Sequence, residues 1–310
     1  MNLLTVSSFK KIVDDQEIDN DTQNLINTFK LHYREVNINE LNNIILKAIK
    51  SNRSVAGFDR KNEWEDGWHE NLKNFLASKD IKDLKPKYYR SNQYLRFNGN
   101  WIYTPNSDFE FSFFQIIRSY LFNKYIYNHD IFEFGCGSGL NVAYFAKKFP
   151  YSRIFGLDWS KNSVQILNNL CHLDGFSKVS GIVFDMFEPS LDLNSLNIIN
   201  DFAFVTIGGM EQIGDSFYDF FNFIFNKNPE ICIHIEPIIE QYNQDSLFDY
   251  LAMDYHKSCG YLGEYLTYLK KNKNVKIINY QKISCGLYHD GWNIICWRPI
   301  KSVTTGAKAP

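Results

Sequence analysis

The run Ile131-Phe132-Glu133-Phe134-Gly135-Cys136-Gly137-Ser138-Gly139-Leu140-Asn141 constrains this chain more than any other stretch. A short apolar segment stops at three glycines on alternate positions. A helical pattern, Val142, Phe145, Ala146 and Phe149, follows at once. The order reads as strand, tight turn, helix. Glycine is what such a turn needs when its backbone takes positive φ and lets a ligand approach to contact distance. The free N–H groups at the start of the following helix then face a polar or anionic group. A plain strand-to-helix turn is the alternative, so the rest of the chain has to decide.

A dinucleotide site wants G-x-G-x-x-G, with the helix N-terminus meeting a pyrophosphate. Here the spacing is G-x-G-x-G, and Glu133 stands two residues before the first glycine. An acidic residue is badly placed beside a pyrophosphate. The pattern resembles motif I of the class I S-adenosylmethionine-dependent methyltransferases, E/D-x-G-x-G-x-G, at all four key positions. The resemblance implies a cofactor bearing an ammonium and a sulfonium, S-adenosyl-L-methionine, leaving as S-adenosyl-L-homocysteine. Glu133, Gly135, Cys136, Gly137 and Gly139 are its expected cofactor-side residues in this turn.

The pattern from about residue 129 agrees, because strands and helices alternate as in a parallel α/β sheet. Strands are expected at 130–134, 153–157, 181–184, 202–207, 231–236, 276–284 and 292–297. Helices are expected at 140–149, 161–173, 215–227 and 245–271. Seven strands, the last two close in sequence, resemble the mostly parallel, Rossmann-like methyltransferase sheet with its antiparallel final strand. The fold class is therefore α/β with a mainly helical N-terminal extension. Residues 1–125 form a substrate-side region, 126–300 the methyltransferase domain and 301–310 a loose polar tail.

Three more strand ends match. Asp158 lies about 20 residues beyond the glycine turn, the offset at which a carboxylate accepts ribose hydroxyls; Trp159 follows it. Such bonds are charge-assisted and stronger than neutral ones. The resemblance implies that Asp185 accepts from the adenine amine and that Met186 covers the ring face. Thr206-Ile207-Gly208-Gly209-Met210-Glu211-Gln212 resembles the family segment that flanks the methionine half of the cofactor, which brings in Thr206 and Gly208. Gln212 stands where a histidine is usual, so any catalysis from this loop falls to Glu211.

In the N-terminal region, helix-period apolar positions in the first 50 residues predict two or three helices, suited to a lid or to a homodimer contact. Asn98-Gly99 between two alternating runs predicts a hairpin. Ser107 or Asp108 is placed to cap a helix whose apolar positions (Phe111, Phe113, Phe114, Ile117, Leu121) surround most of its circumference, as in a buried helix.

Methyl transfer to an amine needs only a neutral nucleophile, whereas a hydroxyl wants a base within reach. Glu236 and His234 alternate at the end of the fifth strand and share one side, with Glu236 nearer the carboxyl edge. His256 is a further candidate, on a helix that also brings Tyr255 and Tyr261 over the acceptor. His234 reads slightly better as a satisfied core imidazole than as a base, and His289 reads as a turn residue. The aromatic stretch 88–103 is the expected acceptor wall, with Tyr89, Arg90, Tyr94, Arg96 and Tyr103. Arginines among tyrosines suit a carboxylate, phosphate or sugar-phosphate.

Charge and cysteine content narrow the partners. At a net charge of −2 the 310-residue chain has no basic excess to neutralise phosphates, so nucleic acid is not expected. Six cysteines occur without a C-x-x-C pair, which suggests neither metal nor disulfide framework. No signal peptide or membrane-length apolar run is seen, which points to a cytoplasmic protein with no membrane partner. The reading is O- or N-methylation of a small molecule or sugar. A protein or RNA methyltransferase, or a cofactor-binding scaffold without chemistry, are the alternatives.

Overall fold

A computed structural model describes residues 1–51, 53–89, 93–106, 108–198 and 200–300. Arg90, Ser107 and the tail from Lys301 lie outside the described residues.

The N-terminal region holds β1 (Asn2–Leu3), α1 (Val6–Ile12), α2 (Asn20–Phe29), β2 (His32–Glu35), α3 (Ile38–Ile49) and α4 (Lys61–Ser78). The hairpin β3 (Tyr94–Phe97) and β4 (Asn100–Tyr103) and then α5 (Phe109–Tyr125) complete it. Asn98 and Gly99 both take positive φ, 47° and 81°, which is the two-residue turn that their types favour. Asp108 sits at the N-cap of α5 without capping it, because its carboxylate accepts instead from Lys85 Nζ at 3.0 Å. Helix α5 is buried on nearly every side, as its sequence demands.

Strands and helices then alternate: β5 (Asp130–Phe134), α6 (Leu140–Lys148), β6 (Ile154–Asp158), α7 (Lys161–Leu170), β7 (Val179–Val183), β8 (Phe202–Ile207), α8 (Phe217–Lys227) and β9 (Ile231–Glu236). The chain ends with α9 (Leu247–Ser258), α10 (Tyr265–Lys271), β10 (Val275–Gln281), β11 (Cys285–Gly286) and β12 (Asn293–Pro299). The single helix expected over 245–271 is two, because Gly260 and Glu264 take left-handed φ of 62° and 55° between them.

Seven strands form one sheet in the order β10-β12-β9-β8-β5-β6-β7. Strands β5 to β9 pair in parallel, and β12 runs antiparallel to both of its neighbours. The expected fold class is therefore present: a mostly parallel Rossmann-like sheet with one reversed strand. Strand order turns back at β5, between β6 and β8, and the crevice outside the carboxyl ends at such a point is where open α/β sheets bind ligands.

A second sheet was not expected. It has the order β1-β2-β4-β3-β11, so its last strand comes from far along the chain. An apolar core on one face of the large sheet joins Phe9, Leu72, Phe113 and Ile117 to Ile131, Val142 and Ile233. That core crosses the expected division at residues 125 and 126. The other face is packed by Phe132, Phe134, Phe204 and Phe220, with ring centroids 5.1–5.4 Å apart in edge-on pairs. Such pairs add about 0.5–1.5 kcal/mol each beyond burial. No helix among the described residues is long and apolar enough to cross a membrane.

Gly156 in the middle of β6 leaves no room for a side chain: a Cβ there would lie 2.2 Å from Leu167 Cδ1 and 2.9 Å from Val142 Cγ2. Gly156→Ala is expected to destabilise the fold by about 1–3 kcal/mol in urea unfolding. Gly67→Ala, on an exposed face of α4 where a Cβ meets nothing within 4 Å, should instead stabilise it by up to about 1 kcal/mol.

Candidate active site

The glycine turn leaves β5 with Gly135 at φ 71° and Gly137 at φ 52°, both in the left-handed region. Gly135 N and Cys136 N donate to Leu157 O at 2.7 and 3.1 Å, tying the turn to β6. Gly137 N donates to Asp158 Oδ2 at 2.8 Å, and Ser160 N donates to Oδ1 at 2.9 Å. Asp158 is buried, which lifts its carboxyl to about 6, while the Ser160 and Gly137 amides oppose the rise. A Cβ at Gly137 would stand 2.7 Å from the Trp68 ring, so α4 lies directly over the turn. Ser138 Oγ, donating to Leu84 O, fastens the same approach.

Above this turn opens a cavity of about 640 Å³. Of the cofactor-side residues expected, Gly135, Cys136, Gly137, Asp158, Trp159, Met186 and Gly208 line it. Glu133 is one step behind the wall: its Oε1 accepts from Asn141 Nδ2 at 2.8 Å, and Asn141 lines the cavity. Glu133 Oε2 is buried and has no hydrogen-bond partner among the described residues. Burial raises its carboxyl to about 8, against the Asn141 bond and Arg118.

Three expected cofactor residues do other work. Gly139 is turned away from the cavity, and a Cβ there would meet Leu167 Cδ2 at 2.6 Å, so its role is close packing on α7. Asp185 Oδ2 is paired with Lys61 Nζ at 2.5 Å, and Oδ1 accepts from Phe187 N at 2.9 Å; it does not reach the cavity. Thr206 Oγ1 is spent on His234 Nδ1 at 2.8 Å.

The expected bases divide more sharply. Glu236 is fully buried and accepts from three successive amides, Gly209 N and Met210 N at 3.0 Å and Glu211 N at 3.1 Å. It holds the loop after β8 instead of facing the cavity. Burial, with the Glu211 charge behind it, lifts its carboxyl to about 8 against those amides. His234 Nε2 meets Tyr265 OH at 3.0 Å and accepts from Trp297 Nε1 at 2.9 Å, deep in the core, where burial pulls the imidazole down to about 3. His256 Nε2 bonds Leu262 O at 2.7 Å, and burial lowers it to about 4. Neither histidine lines the cavity. Glu211 does, with Oε1 accepting from Gln212 Nε2 at 2.9 Å.

Of the expected acceptor wall, Tyr89, Tyr255 and Tyr261 line the cavity. Arg96 does not: it is fully buried, with Nε 3.0 Å from Asp290 Oδ1 and Nη2 3.6 Å from Asp249 Oδ1. Its charge is consumed in joining β3 to helix α9 and to the loop before β12. Tyr94 donates to Glu40 Oε1 at 3.2 Å, and Tyr103 lies under Arg34 at 4.4 Å, both on the small sheet away from the cavity.

Several wall residues escaped the sequence reading. Trp64 and Trp68, one helical turn apart on polar α4, stack at 5.6 Å and cover the glycine turn. That spacing is the one signal that could have found them. Arg60 lines the wall but is paired with Glu63 at 3.0 Å. Glu110 and Trp292 lie at the opposite end, where burial lifts the Glu110 carboxyl to about 7, against His289. His289 also lines the cavity, its ring 5.4 Å from Tyr255 and 5.5 Å from Tyr261, and its Nε2 is 3.9 Å from Glu211 Oε2.

No family model matches this chain. No curated protein matches it in sequence. Solved structures with a similar outline include an O-methyltransferase of neocarzinostatin biosynthesis, in complex with S-adenosyl-L-homocysteine and 1,4-dihydroxy-2-naphthoic acid. It shares 12% identity over 62% of this chain and 58% of its own length, with a TM-score of 0.41. Magnesium protoporphyrin IX methyltransferase from Synechocystis PCC 6803 shares 11% over 61% of this chain and 83% of its own, at 0.44. Human N-acetylserotonin methyltransferase shares 11% over 84% of this chain and 66% of its own, at 0.41. Likeness of this degree carries no argument about chemistry here, and the strand order stands on the chain's own hydrogen bonding.

Proposed function

We propose that this chain is an S-adenosylmethionine-dependent methyltransferase acting on a small acceptor held in the same cavity. The observation that carries the reading is the meeting, at the strand-order reversal, of the left-handed glycine turn, the Asp158 carboxylate and the unpartnered Glu133 oxygen.

The residues fit that cofactor. Each Asp158 oxygen keeps a free lone pair after its backbone bond, so the carboxylate can accept from a ribose diol. Glu133 Oε2 is a buried acceptor waiting for a donor, and an ammonium is a good one. Trp159 and Met186 offer flat and soft apolar surface for a base. The volume of about 640 Å³ lies inside the range of about 300–1,000 Å³ usual for small-molecule sites.

When bound, the cofactor supplies a methyl group on a positively charged sulfur, open to in-line displacement. The work of the chain is then placement and exclusion of water. Orientation of this kind can contribute about 7–11 kcal/mol to the barrier. Glu236, through three amides, holds the loop that carries Glu211 at the reaction side. A small acceptor is favoured over nucleic acid or a phosphate because Arg60 is the only Lys or Arg among the described lining residues, and it is already paired. A scaffold without chemistry would have no use for the aromatic end of the cavity beyond the turn.

Two measurements test this reading. Asp158→Ala should weaken binding of S-adenosyl-L-homocysteine by about tenfold or more in calorimetry, the loss expected from one or two charge-assisted bonds. Unchanged affinity in a folded variant removes the ribose assignment. Glu133, held protonated up to about 8 in the free protein, must ionise to meet an ammonium. Binding at neutral pH should therefore release a proton, affinity should fall as pH drops below about 8, and Glu133→Gln should abolish both effects. Calorimetry in two buffers of different ionisation enthalpy reads the proton directly.

A further inference from the structure

We infer that His289, which lies beside Glu211, is the general base of this cavity and that the acceptor is an aromatic hydroxyl. The inference rests on the methyltransferase reading above and adds the base and the acceptor class.

His289 is the one imidazole among the described lining residues. His289 Nε2 is buried without a hydrogen bond among the described residues, and the nearest carboxylate oxygen, Glu211 Oε2, is 3.9 Å from it. The ring packs on one flank against Tyr255 and Tyr261, 5.4 and 5.5 Å away, whose own centroids are 6.3 Å apart. At 3.9 Å the Glu211 carboxylate is too far to hydrogen-bond Nε2, but its charge favours the proton on that nitrogen, which leaves Nδ1 as the acceptor. Glu211 is itself positioned from two sides: its amide by Glu236 at 3.1 Å and its Oε1 by Gln212 at 2.9 Å. Glu110 is the other carboxyl that bears on His289, and His256 is the other imidazole in its field.

The surroundings select the acceptor. Trp64, Tyr88, Tyr89, Trp292 and Tyr288 present rings to the cavity, and Tyr89 stacks on Trp292 at 5.8 Å and 13°, leaving flat walls for a flat guest. An amine between Glu110 and Glu211 would be kept protonated and unreactive. A hydroxyl needs a base, and one is in place. Trp292 Nε1 is a buried donor without a partner among the described residues, which suits a second oxygen on the ring. In the transfer the hydroxyl proton goes to Nδ1 as the oxygen bonds to the methyl carbon. The carbon–sulfur bond breaks with its electron pair going to sulfur, which becomes neutral. The imidazolium that forms is balanced by Glu211 and later loses its proton to water.

The probe is 4-nitrocatechol, whose phenolate absorbs visible light, added to protein saturated with S-adenosyl-L-homocysteine so that no turnover is needed. At about one pH unit below the probe's own pKa, the bound probe should be more ionised than the free probe. His289→Gln should lose that extra phenolate signal, and Glu211→Gln should reduce it, while cofactor-product affinity by calorimetry stays within about twofold of wild type. With S-adenosylmethionine and the same catechol, His289→Gln should lower kcat by about 10²–10⁴-fold. An unchanged phenolate signal in His289→Gln, or no binding of the catechol to product-loaded protein, overturns the inference. Failure of wild-type protein to bind S-adenosyl-L-homocysteine overturns the methyltransferase reading instead. Thermal melting of both variants separates these outcomes from misfolding.

Discussion

The Asp158 carboxylate joins the two segments that make the floor of the cavity. One oxygen holds Gly137 in the turn after β5, and the other holds Ser160 at the start of α7. Hydrogen bonds to a charged group contribute about 1.5–3 kcal/mol each, but their main use here is geometric. They fix the positive-φ turn against β6, which fixes the height at which Trp68 can lie across it. Everything on the N-terminal side of the cavity is positioned from that contact. Burial raises the carboxyl toward about 6, so the same bonds that shape the floor also keep it charged near neutrality.

A second carboxylate plays a similar part on the reaction side. Glu236 receives three consecutive amides, which pins the loop after β8 in one conformation. A buried acid of this kind destabilises a fold unless its lone pairs are filled. The result is that the acid nearest the sheet edge is consumed in structure, and the acid it positions, Glu211, is the one that faces the space.

The large sheet was legible because parallel strands buried on both faces read as continuous apolar runs, such as those of β5 and β9, and because a glycine turn announces itself. The cofactor side of the cavity followed from four strand ends. The acceptor side did not, for reasons that particular residues show. Alternation placed His234 and Glu236 on one side of β9 correctly, yet it says nothing about a loop folding back to cover them. Arg96 looked like a ligand-binding cation because its two counter-charges, Asp249 and Asp290, are distant in sequence. His289 does lie in a bend, as its neighbours Asp290 and Gly291 suggest, but its place in the cavity wall was not legible because its ring partners come from the α9 region. Strands β1 and β2 were missed because they have two and four residues, too short to show a period.

The pairing of β11 with β3 sets Gly286 against Arg96 and Cys285 against Phe97. The small sheet therefore closes only with a strand made long after the other four. Contacts of such sequence separation are slow to form, because loop-closure entropy is lost before they are rewarded. A chain leaving the ribosome would carry its N-terminal helices and hairpin with one sheet edge bare until the final strands emerge. Exposed edges of that sort are where wrong pairings begin. The order of synthesis thus makes the first-made third of this molecule the last to be sealed.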